Sequence, residues 1–307
     1  MSTETIRQRS DAMLHLFQSM AARSAANPEM DLPTFRDMME QLHTMSSEPE
    51  DVRYADVSAG GVPALWCLPD GAATDRVLLF THGGGFVTNT AASHRKVVGH
   101  LAKALGVRGL SVDYRLAPEH TFPAQLEDTK TAYRWLLSEG IRPEHIVTAG
   151  DSAGANLATS VVVANLAEGV AAPAAIVAFS PFYDMALAGP TMASNAAVDA
   201  FVQREVLDNV AGWFLGPDGS RTDPLANPLH ADLTGLPPVY IAVGGDETLL
   251  SDSERFNDLA VEAGIETRLR VVPGMQHIFI MMAGRAHEAD DTIAEIAGWV
   301  RPKLGLT

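Results

Sequence analysis

The chain has 307 residues, 47% of them hydrophobic, and a net charge of −16 with the histidines neutral. This length and apolar content suit one α/β domain with insertions, or two small domains, around a large core. The negative charge argues against nucleic acid and anionic membrane surfaces as partners, because both bind basic patches. The simpler reading of the charge is good solubility. The single cysteine, Cys67, cannot form an internal disulfide and is compatible with a reducing compartment.

Targeting and cofactor signals are missing from the sequence. Residues 1–10 are polar, without the apolar stretch or cleavage site of a signal peptide, and no run approaches the roughly 18 apolar residues of a membrane span. There is also no Walker loop, no G-x-G-x-x-G after a strand and no metal-ligand spacing. We therefore expect a cytoplasmic protein that needs no cofactor or metal ion and binds neither nucleic acid nor membranes.

Two amphipathic helical patterns occupy the first 50 residues. Their apolar positions are Met13, Leu16, Phe17 and Met20, followed by Phe35, Met38, Met39 and Leu42. Both patterns precede the strand–helix alternation of the remaining chain, so we interpret residues 1–50 as a helical cap segment. The alternative is that the two stripes simply pack on the core.

Residues 51–307 have the pattern of an α/β domain. Residues 52–57 and 62–68 read as antiparallel edge strands around a Gly-Gly pair, and strand and helix signals then alternate. This alternation predicts a mostly parallel sheet with helices on both faces. An insertion of about residues 183–225 interrupts the pattern, and we interpret it as the second part of the cap.

A nucleophile elbow is predicted at residues 150–154, which read GDSAG between an apolar run and a helix-forming segment. In a G-x-S-x-G turn the small neighbours let the backbone bend sharply, which raises the serine hydroxyl above the sheet. The pentapeptide alone is a weak signal. It gains weight from residues 82–86, which read HGGGF after another apolar run and are typical of an oxyanion loop. The alternative for these glycines is a turn without chemistry.

Two polar residues follow later strand signals in the order that a catalytic triad needs. Asp246 comes after the run at 239–243, and His277 after the run at 269–272. Serine is a weak nucleophile that needs a base such as His277, and the imidazole needs an acid that fixes its tautomer. Glu247 or Asp252 could also orient the histidine. We favour Asp246 because it lies at the strand end.

As a set and in this order, these motifs resemble the bacterial hormone-sensitive-lipase-like esterases, or esterase family IV, from about Val77 onwards. The resemblance also rests on DYRLAPEH at 113–120, FPA at 122–124, SPF at 180–182 and GMQHIF at 274–279. The elbow is similar to that of the GDSAG subgroup. One departure is that the acid of this family is often followed by Pro-Leu or Val-Leu, whereas ETLL follows Asp246 here.

The resemblance implies an α/β-hydrolase fold with a mostly parallel central sheet and a helical cap over the elbow. It implies Ser152 as nucleophile, Asp246 as orienting acid and His277 as base, with the oxyanion bound by the amides of Gly84, Gly85 and Ala153. We expect substrate contacts from Phe86, Phe201, Phe214 and Ile278. Asp113 and Arg115 are expected either to brace the oxyanion loop or to form ordinary salt bridges at the strand end.

The implied activity is that of a serine carboxylesterase, which hydrolyses short- to medium-chain carboxylic esters through an acyl-enzyme. The implied partner is a small-molecule ester, and relatives often pair through an edge strand, which makes a homodimer an expectation. Two alternatives remain at this point. One is a lactone hydrolase of the monoterpene-lactone type, and the other is a non-catalytic small-molecule binder.

Overall fold

The computed structural model of the chain describes residues 11–307, and eight strands form one sheet in the order β1-β2-β4-β3-β5-β6-β7-β8. The strands are β1 Val52–Ala59, β2 Val62–Pro69, β3 Ala73–Thr81, β4 Val107–Val112, β5 Ile146–Asp151, β6 Ala175–Phe179, β7 Val239–Gly244 and β8 Thr267–Val272. Strand β2 pairs antiparallel with β1 and β4, and every other pairing is parallel. The predicted α/β-hydrolase fold is confirmed.

Nine α-helices lie within the described residues. They are α1 Ala12–Ala26, α2 Leu32–Met39, α3 Ala91–Leu105, α4 Ala124–Ser138, α5 Ala153–Ala167, α6 Thr191–Ser194, α7 Arg204–Leu215, α8 Leu250–Glu262 and α9 His287–Val300. Short 3₁₀ helices cover Glu40–Thr44, Pro143–His145, Pro228–His230, Phe279–Met282 and Arg301–Leu304. None of the helices seen between residues 11 and 307 is long and apolar enough to cross a membrane.

The central strands are buried on both faces because helices cover the sheet from either side. All residues of β5, β6 and β7 are buried, and these strands are runs of valine, isoleucine and alanine rather than alternating patterns. Helix α5 directly follows β5 and is also almost wholly buried. Because β5, β6, β7 and β8 pair in parallel, the carboxyl ends of β5, β7 and β8 lie at the same edge of the sheet, and the loops that leave them are held by the buried core.

The two edge strands predicted at residues 52–57 and 62–68 are present, and they extend to Ala59 and Pro69. β1 and β2 form a hairpin, and α3 begins with a capping box of Thr90 and Ser93 and ends at the left-handed Gly106. Helix α4 begins after Pro123.

The two segments outside the α/β pattern meet over the carboxyl edge of the sheet. Phe17 of α1 stacks on Phe201 of the insertion, with ring centroids 5.4 Å apart. Both side chains line a cavity that also contains Ser152 and His277. Residues 1–10 of the predicted cap segment lie outside the described part of the chain, and the division into cap and catalytic domain stays a prediction.

Candidate active site

Ser152 lies on a sharp turn between β5 and α5. Its φ of 54° and ψ of −120° place a non-glycine residue in a strained region, and its amide donates a hydrogen bond to the carbonyl of Phe179 at 2.8 Å. Gly154 must be glycine, because a Cβ there would lie 2.0 Å from the carbonyl oxygen of Thr81. The turn thus holds the serine hydroxyl above the sheet, as a nucleophile elbow does.

His277 reaches the serine from the turn after β8. Its Nε2 lies 2.9 Å from the Ser152 Oγ, and its Nδ1 lies 2.8 Å from Oε2 of Glu247. Both distances are within hydrogen-bonding range, so a hydroxyl, an imidazole and a carboxylate form one chain. This is the arrangement in which a histidine can take a proton from serine.

The prediction that Asp246 contacts His277 is wrong, because the neighbouring Glu247 occupies that position. The amide of Asp246 donates to the carbonyl of Met275 at 3.2 Å, while its carboxylate has no hydrogen-bond partner within residues 11–307. The loop after β7 thus directs residue 247 inward, and the glutamate side chain, longer by one methylene, spans the distance to the ring. Asp252, the other alternative, accepts bonds from the amides of Tyr183 and Asp184 instead.

The carboxylate of Glu247 is fully buried and satisfied on its second oxygen. Oε1 accepts hydrogen bonds from the Ser180 hydroxyl and from the Gly244 amide, both at 2.6 Å. The Ser180 oxygen also accepts from the amide of Ile278 at 3.0 Å. A buried charge with this many donors keeps one orientation, and so does the histidine that binds it.

The pKa of His277 lies above its ordinary value. Burial lowers the pKa, but the charge of Glu247 and its hydrogen bond outweigh that effect, and the carboxylates of Asp199 and Asp151 act in the same direction. The ring therefore holds a proton more firmly than a free imidazole does. This makes it a stronger base once neutral, and it keeps the protonated form populated at a higher pH.

The three amides predicted to bind an oxyanion point to no protein acceptor. Gly84 and Gly85 have φ values of 108° and 64°, and both line the cavity beside Ser152. In the described chain, neither of their N–H groups nor that of Ala153 donates a hydrogen bond to another residue. Free N–H groups next to the serine are what a tetrahedral oxyanion requires, and their role stays a prediction.

Of the two alternatives for Asp113 and Arg115, the structure shows ordinary contacts near the strand end and not a brace for the oxyanion loop. Asp113 accepts a hydrogen bond from the Ala91 amide at the start of α3, and Arg115 pairs with Asp128, so neither holds the loop. Tyr114 does so instead: its hydroxyl donates to the carbonyl of His82 at 2.7 Å. The motif DYRLAPEH thus supports the loop through its tyrosine.

The elbow residue Asp151 fixes the same loop from below. Its carboxylate accepts from the Gly83 amide at 3.0 Å and lies 3.3 Å from Nε2 of His94. The pKa of Asp151 is lowered, since the charge and hydrogen bond of His94 outweigh the burial that would raise it. Burial, with the nearby His94, lowers the pKa of His82 to about 3, so this ring is neutral. The oxyanion glycines are thereby tied to the elbow.

The insertion is bonded directly to the loops that carry the acid and the base. Asp199 accepts from the amides of Phe201 and Val202 through Oδ1, at 3.1 and 2.8 Å. Its Oδ2 accepts from the amide of Thr248, at 2.8 Å, next to Glu247. Gln276 accepts from the amide of Ala200 at 2.8 Å. The wall of the cavity and the catalytic loops are therefore one hydrogen-bonded unit.

A cavity of about 60 Å³ adjoins the serine. Its lining includes Phe201 and Ile278, whose contact with substrate stays a prediction. The prediction is wrong for Phe86 and Phe214, because they do not line the cavity; their rings stack at 3.7 Å in the core behind it. The lining residues that the sequence did not assign to the site are Phe17, Phe35, Met39, Leu42, Thr88, Phe182, Val202, Val206, Leu207 and Val210. Four of these residues belong to the two amphipathic stripes, so helical spacing was the sequence signal that could have identified them.

The described part of the chain contains no group of three or more His, Cys, Asp or Glu side chains that could hold a metal ion. The residues at the serine are those of acyl transfer, in which the protein supplies the nucleophile, the base and the oxyanion donors.

The site and the fold define an α/β-hydrolase. A family model described as the alpha/beta hydrolase fold matches residues 78–281. Over 273 residues the chain is 36% identical to an acetyl-hydrolase of Streptomyces hygroscopicus, covering 83% of this chain and 90% of that protein. Over 262 residues it is 31% identical to an esterase of Acinetobacter venetianus, covering 85% and 86%.

Similarity to solved structures narrows the family. A crystal structure described as an esterase from the bacterial hormone-sensitive lipase family matches with a TM-score of 0.92 and 36% identity, over 99% of this chain and 100% of that one. Another, described as a hormone-sensitive lipase from a metagenome library, matches with a TM-score of 0.88 and 33% identity, over 96% and 98%. The chain belongs to the bacterial hormone-sensitive-lipase-like esterases of the α/β-hydrolase family.

Proposed function

We propose that this protein is a serine carboxylesterase that hydrolyses short- to medium-chain esters through an acyl-enzyme on Ser152. The observation that carries the proposal is the hydrogen-bonded chain from Ser152 through His277 to Glu247. Family membership supports the same reaction, since relatives are named esterase, acetyl-hydrolase and carboxylesterase. The small apolar cavity beside the serine favours short acyl groups.

In the first half-reaction, the Ser152 Oγ attacks the carbonyl carbon while His277 Nε2 takes its proton. Glu247 holds the Nδ1–H tautomer and stabilises the imidazolium. The amides of Gly84, Gly85 and Ala153 receive the negative oxygen of the tetrahedral intermediate. Collapse of the intermediate breaks the bond to the alcohol, which leaves with the proton from His277. A water molecule then repeats these steps on the acyl-enzyme and releases the acid.

The test is a panel of p-nitrophenyl esters of graded chain length beside a set of lactones, with wild-type protein and Ser152→Ala. We expect ester hydrolysis by the wild type alone, and labelling of Ser152 by a fluorophosphonate probe. Hydrolysis of lactones in place of the esters would show the lactone hydrolase. A protein that hydrolyses neither and takes no label would be a binder. Cytoplasmic location, a homodimer and membership of the GDSAG subgroup stay predictions.

A further inference from the structure

The side chain of Arg36 joins helix α2 to the loop that carries the oxyanion glycines. Its Nε donates to the carbonyl of Val87 at 2.8 Å, and its Nη2 donates to the carbonyl of Ala117 at 3.0 Å. Nη1 and Nη2 also pair with the two carboxylate oxygens of Glu119, each at 2.7 Å. A lysine could not make this set of contacts, because an ammonium group has no planar fork of donors.

The carboxylate of Glu119 fixes the direction of the fork. Its hydrogen bonds with Arg36 lower the pKa of Glu119 to about 2, so the carboxylate stays ionised at neutral pH. A bidentate pair of this kind restricts the guanidinium to one plane. The Nε–H and the second N–H of Nη2 are therefore held in the directions of the two carbonyls.

The two carbonyls depend on Arg36. Val87 and Ala117 are buried, and among residues 11–307 only Arg36 donates a hydrogen bond to either carbonyl. The two segments are also joined directly, since the amide of Ala117 donates to the carbonyl of Phe86 at 2.9 Å. A buried carbonyl that loses its donor must move towards water or stay unpaired, which is unfavourable. Removal of the guanidinium should therefore displace the loop at Val87.

The position of Val87 in turn determines how one oxyanion amide is aimed. The carbonyl of Gly84 accepts from the amide of Val87 at 3.1 Å and from the amide and hydroxyl of Thr88, both at 3.0 Å. This carbonyl and the N–H of Gly85 belong to one planar peptide unit and point in opposite directions. The donors on the carbonyl thus fix the direction of the Gly85 N–H, and they also polarise it. Gly85 lines the cavity beside Ser152.

We propose that Arg36 is a positioning residue for ester hydrolysis, which holds Val87 so that the N–H of Gly85 keeps the direction in which it binds the oxyanion. The proposal rests on the esterase function above. It also connects two parts of the site, because Phe35 and Met39 of the same helix line the cavity. The helix that forms part of the cavity wall thus also supports a group that stabilises the transition state.

The first test removes the guanidinium without weakening the helix. Arg36→Ala deletes every hydrogen bond described above, and alanine favours a helix. An interaction made mainly in the transition state changes kcat more than KM. We expect kcat for p-nitrophenyl butyrate to fall about tenfold, with KM within about threefold of the wild type, because the Gly85 amide is misaligned and not lost.

The matched control is Arg23→Ala, in the same N-terminal segment. Arg23 lies on α1, is exposed and makes no hydrogen bond or ion pair with any residue from 11 to 307. Its replacement removes the same side chain and the same charge, and it should leave both kcat and KM at the wild-type values. An equal loss of kcat in Arg23→Ala and Arg36→Ala would show a general effect of charge and overturn the proposal.

An inhibitor separates positioning from simple tethering of α2. A trifluoromethyl ketone forms a tetrahedral adduct on Ser152 whose oxygen carries the charge of the oxyanion. Its inhibition constant in Arg36→Ala should rise by about the same tenfold as kcat falls. If Arg36 only tethers the helix, the variant has a lower melting temperature but keeps the wild-type kcat and inhibition constant. That result would contradict the proposal.

Chemical rescue protects the test from a folding defect. Methylguanidinium added to Arg36→Ala replaces the planar fork and should restore most of kcat, whereas methylammonium should not. Arg36→Lys should stay well below the wild type for the same reason. A response that is equal for the two cations, or full activity in Arg36→Lys, would show that the fork has no role.

Amide hydrogen exchange tests the contact independently of catalysis. In Arg36→Ala the amides of Val87 and Thr88 should exchange about tenfold faster than in the wild type, because the loop that holds their acceptor is loosened. Arg23→Ala should leave them unchanged. Equal protection in Arg36→Ala and the wild type refutes the proposal even if the protein is an esterase. Conversely, a wild type that hydrolyses no ester refutes the proposed function, while faster exchange would still show that Arg36 holds the loop.

Discussion

The loops at the edge of the sheet and the cavity lining that covers them are built from different kinds of side chain. Glu247, Asp151 and Tyr114 fix the site through buried hydrogen bonds, most of them to backbone groups. The covering segments present mainly aromatic and aliphatic side chains to the cavity. Directional bonds keep reacting atoms in place, whereas apolar contacts tolerate changes of shape. Reaction chemistry and chain-length preference should therefore respond to different substitutions.

The largest effect is expected at the serine itself. Ser152→Ala removes the nucleophile and should lower kcat by roughly 10³- to 10⁶-fold, while the fold stays intact because the hydroxyl makes no bond except to His277. Steady-state kinetics on p-nitrophenyl butyrate, with circular dichroism as the control for folding, check this. Activity near the wild-type level would disprove the assignment of the nucleophile.

The next largest effect on kcat is expected at the catalytic acid. Substitutions there distinguish between two neighbouring carboxylates. Glu247→Gln preserves shape but removes the charge that fixes and stabilises the imidazolium, so kcat should fall on the order of 10⁴-fold. Asp246→Asn is the matched control and should stay within about threefold of the wild type, because its carboxylate contacts no catalytic group. If the control suffers the larger loss, the structure has assigned the wrong acid.

A smaller effect is expected where the insertion joins the catalytic loops. Asp199→Asn retains one acceptor oxygen but removes the negative charge. It also removes at least one of the four hydrogen bonds that the Asp199 carboxylate accepts, which include those from Val202 and Thr248. We expect kcat to fall by about tenfold. Glu205→Gln, which removes an exposed charge from α7, should leave kcat unchanged.

The pH profile of activity measures how the neighbouring carboxylates change the pKa of His277. His277 must be neutral to act as base, so kcat/KM should fall as the pH drops through its pKa. Because that pKa is raised, the midpoint should lie above the free imidazole value of about 6.5. Both Glu247 and Asp199 raise the pKa, so Asp199→Asn should shift the midpoint to lower pH, and Glu205→Gln should not. A midpoint below 6.5 in the wild type would contradict this account.

Motif residues were predictable because their chemistry restricts both residue type and order. The elbow, the glycine loop and His277 each follow a strand end, and parallel strands bring such ends together. The acid was not predictable from position alone. Asp246 and Glu247 are adjacent carboxylates, and which one turns inward depends on how the β7 loop binds to the turn at Met275, a contact between distant parts of the sequence.

The cavity walls were the least predictable part. Helical spacing identified Phe17 and Phe35 as apolar stripe residues, but the same pattern also fits simple packing on the core. Phe86 follows the oxyanion glycines directly, yet its ring turns away from the cavity and stacks on Phe214. Which aromatic residues face a substrate is decided by tertiary packing, for which local patterns carry no signal.

The hydroxyl of Ser180 links three consecutive strands. Ser180 directly follows β6, and its hydroxyl donates a hydrogen bond to Glu247, the acid after β7. The same oxygen accepts a hydrogen bond from the amide of Ile278, in the turn after β8. Any insertion or deletion in one of these loops would pull this oxygen away from a partner in another. Redesign of this enzyme by loop exchange would therefore have to transplant the three loops together.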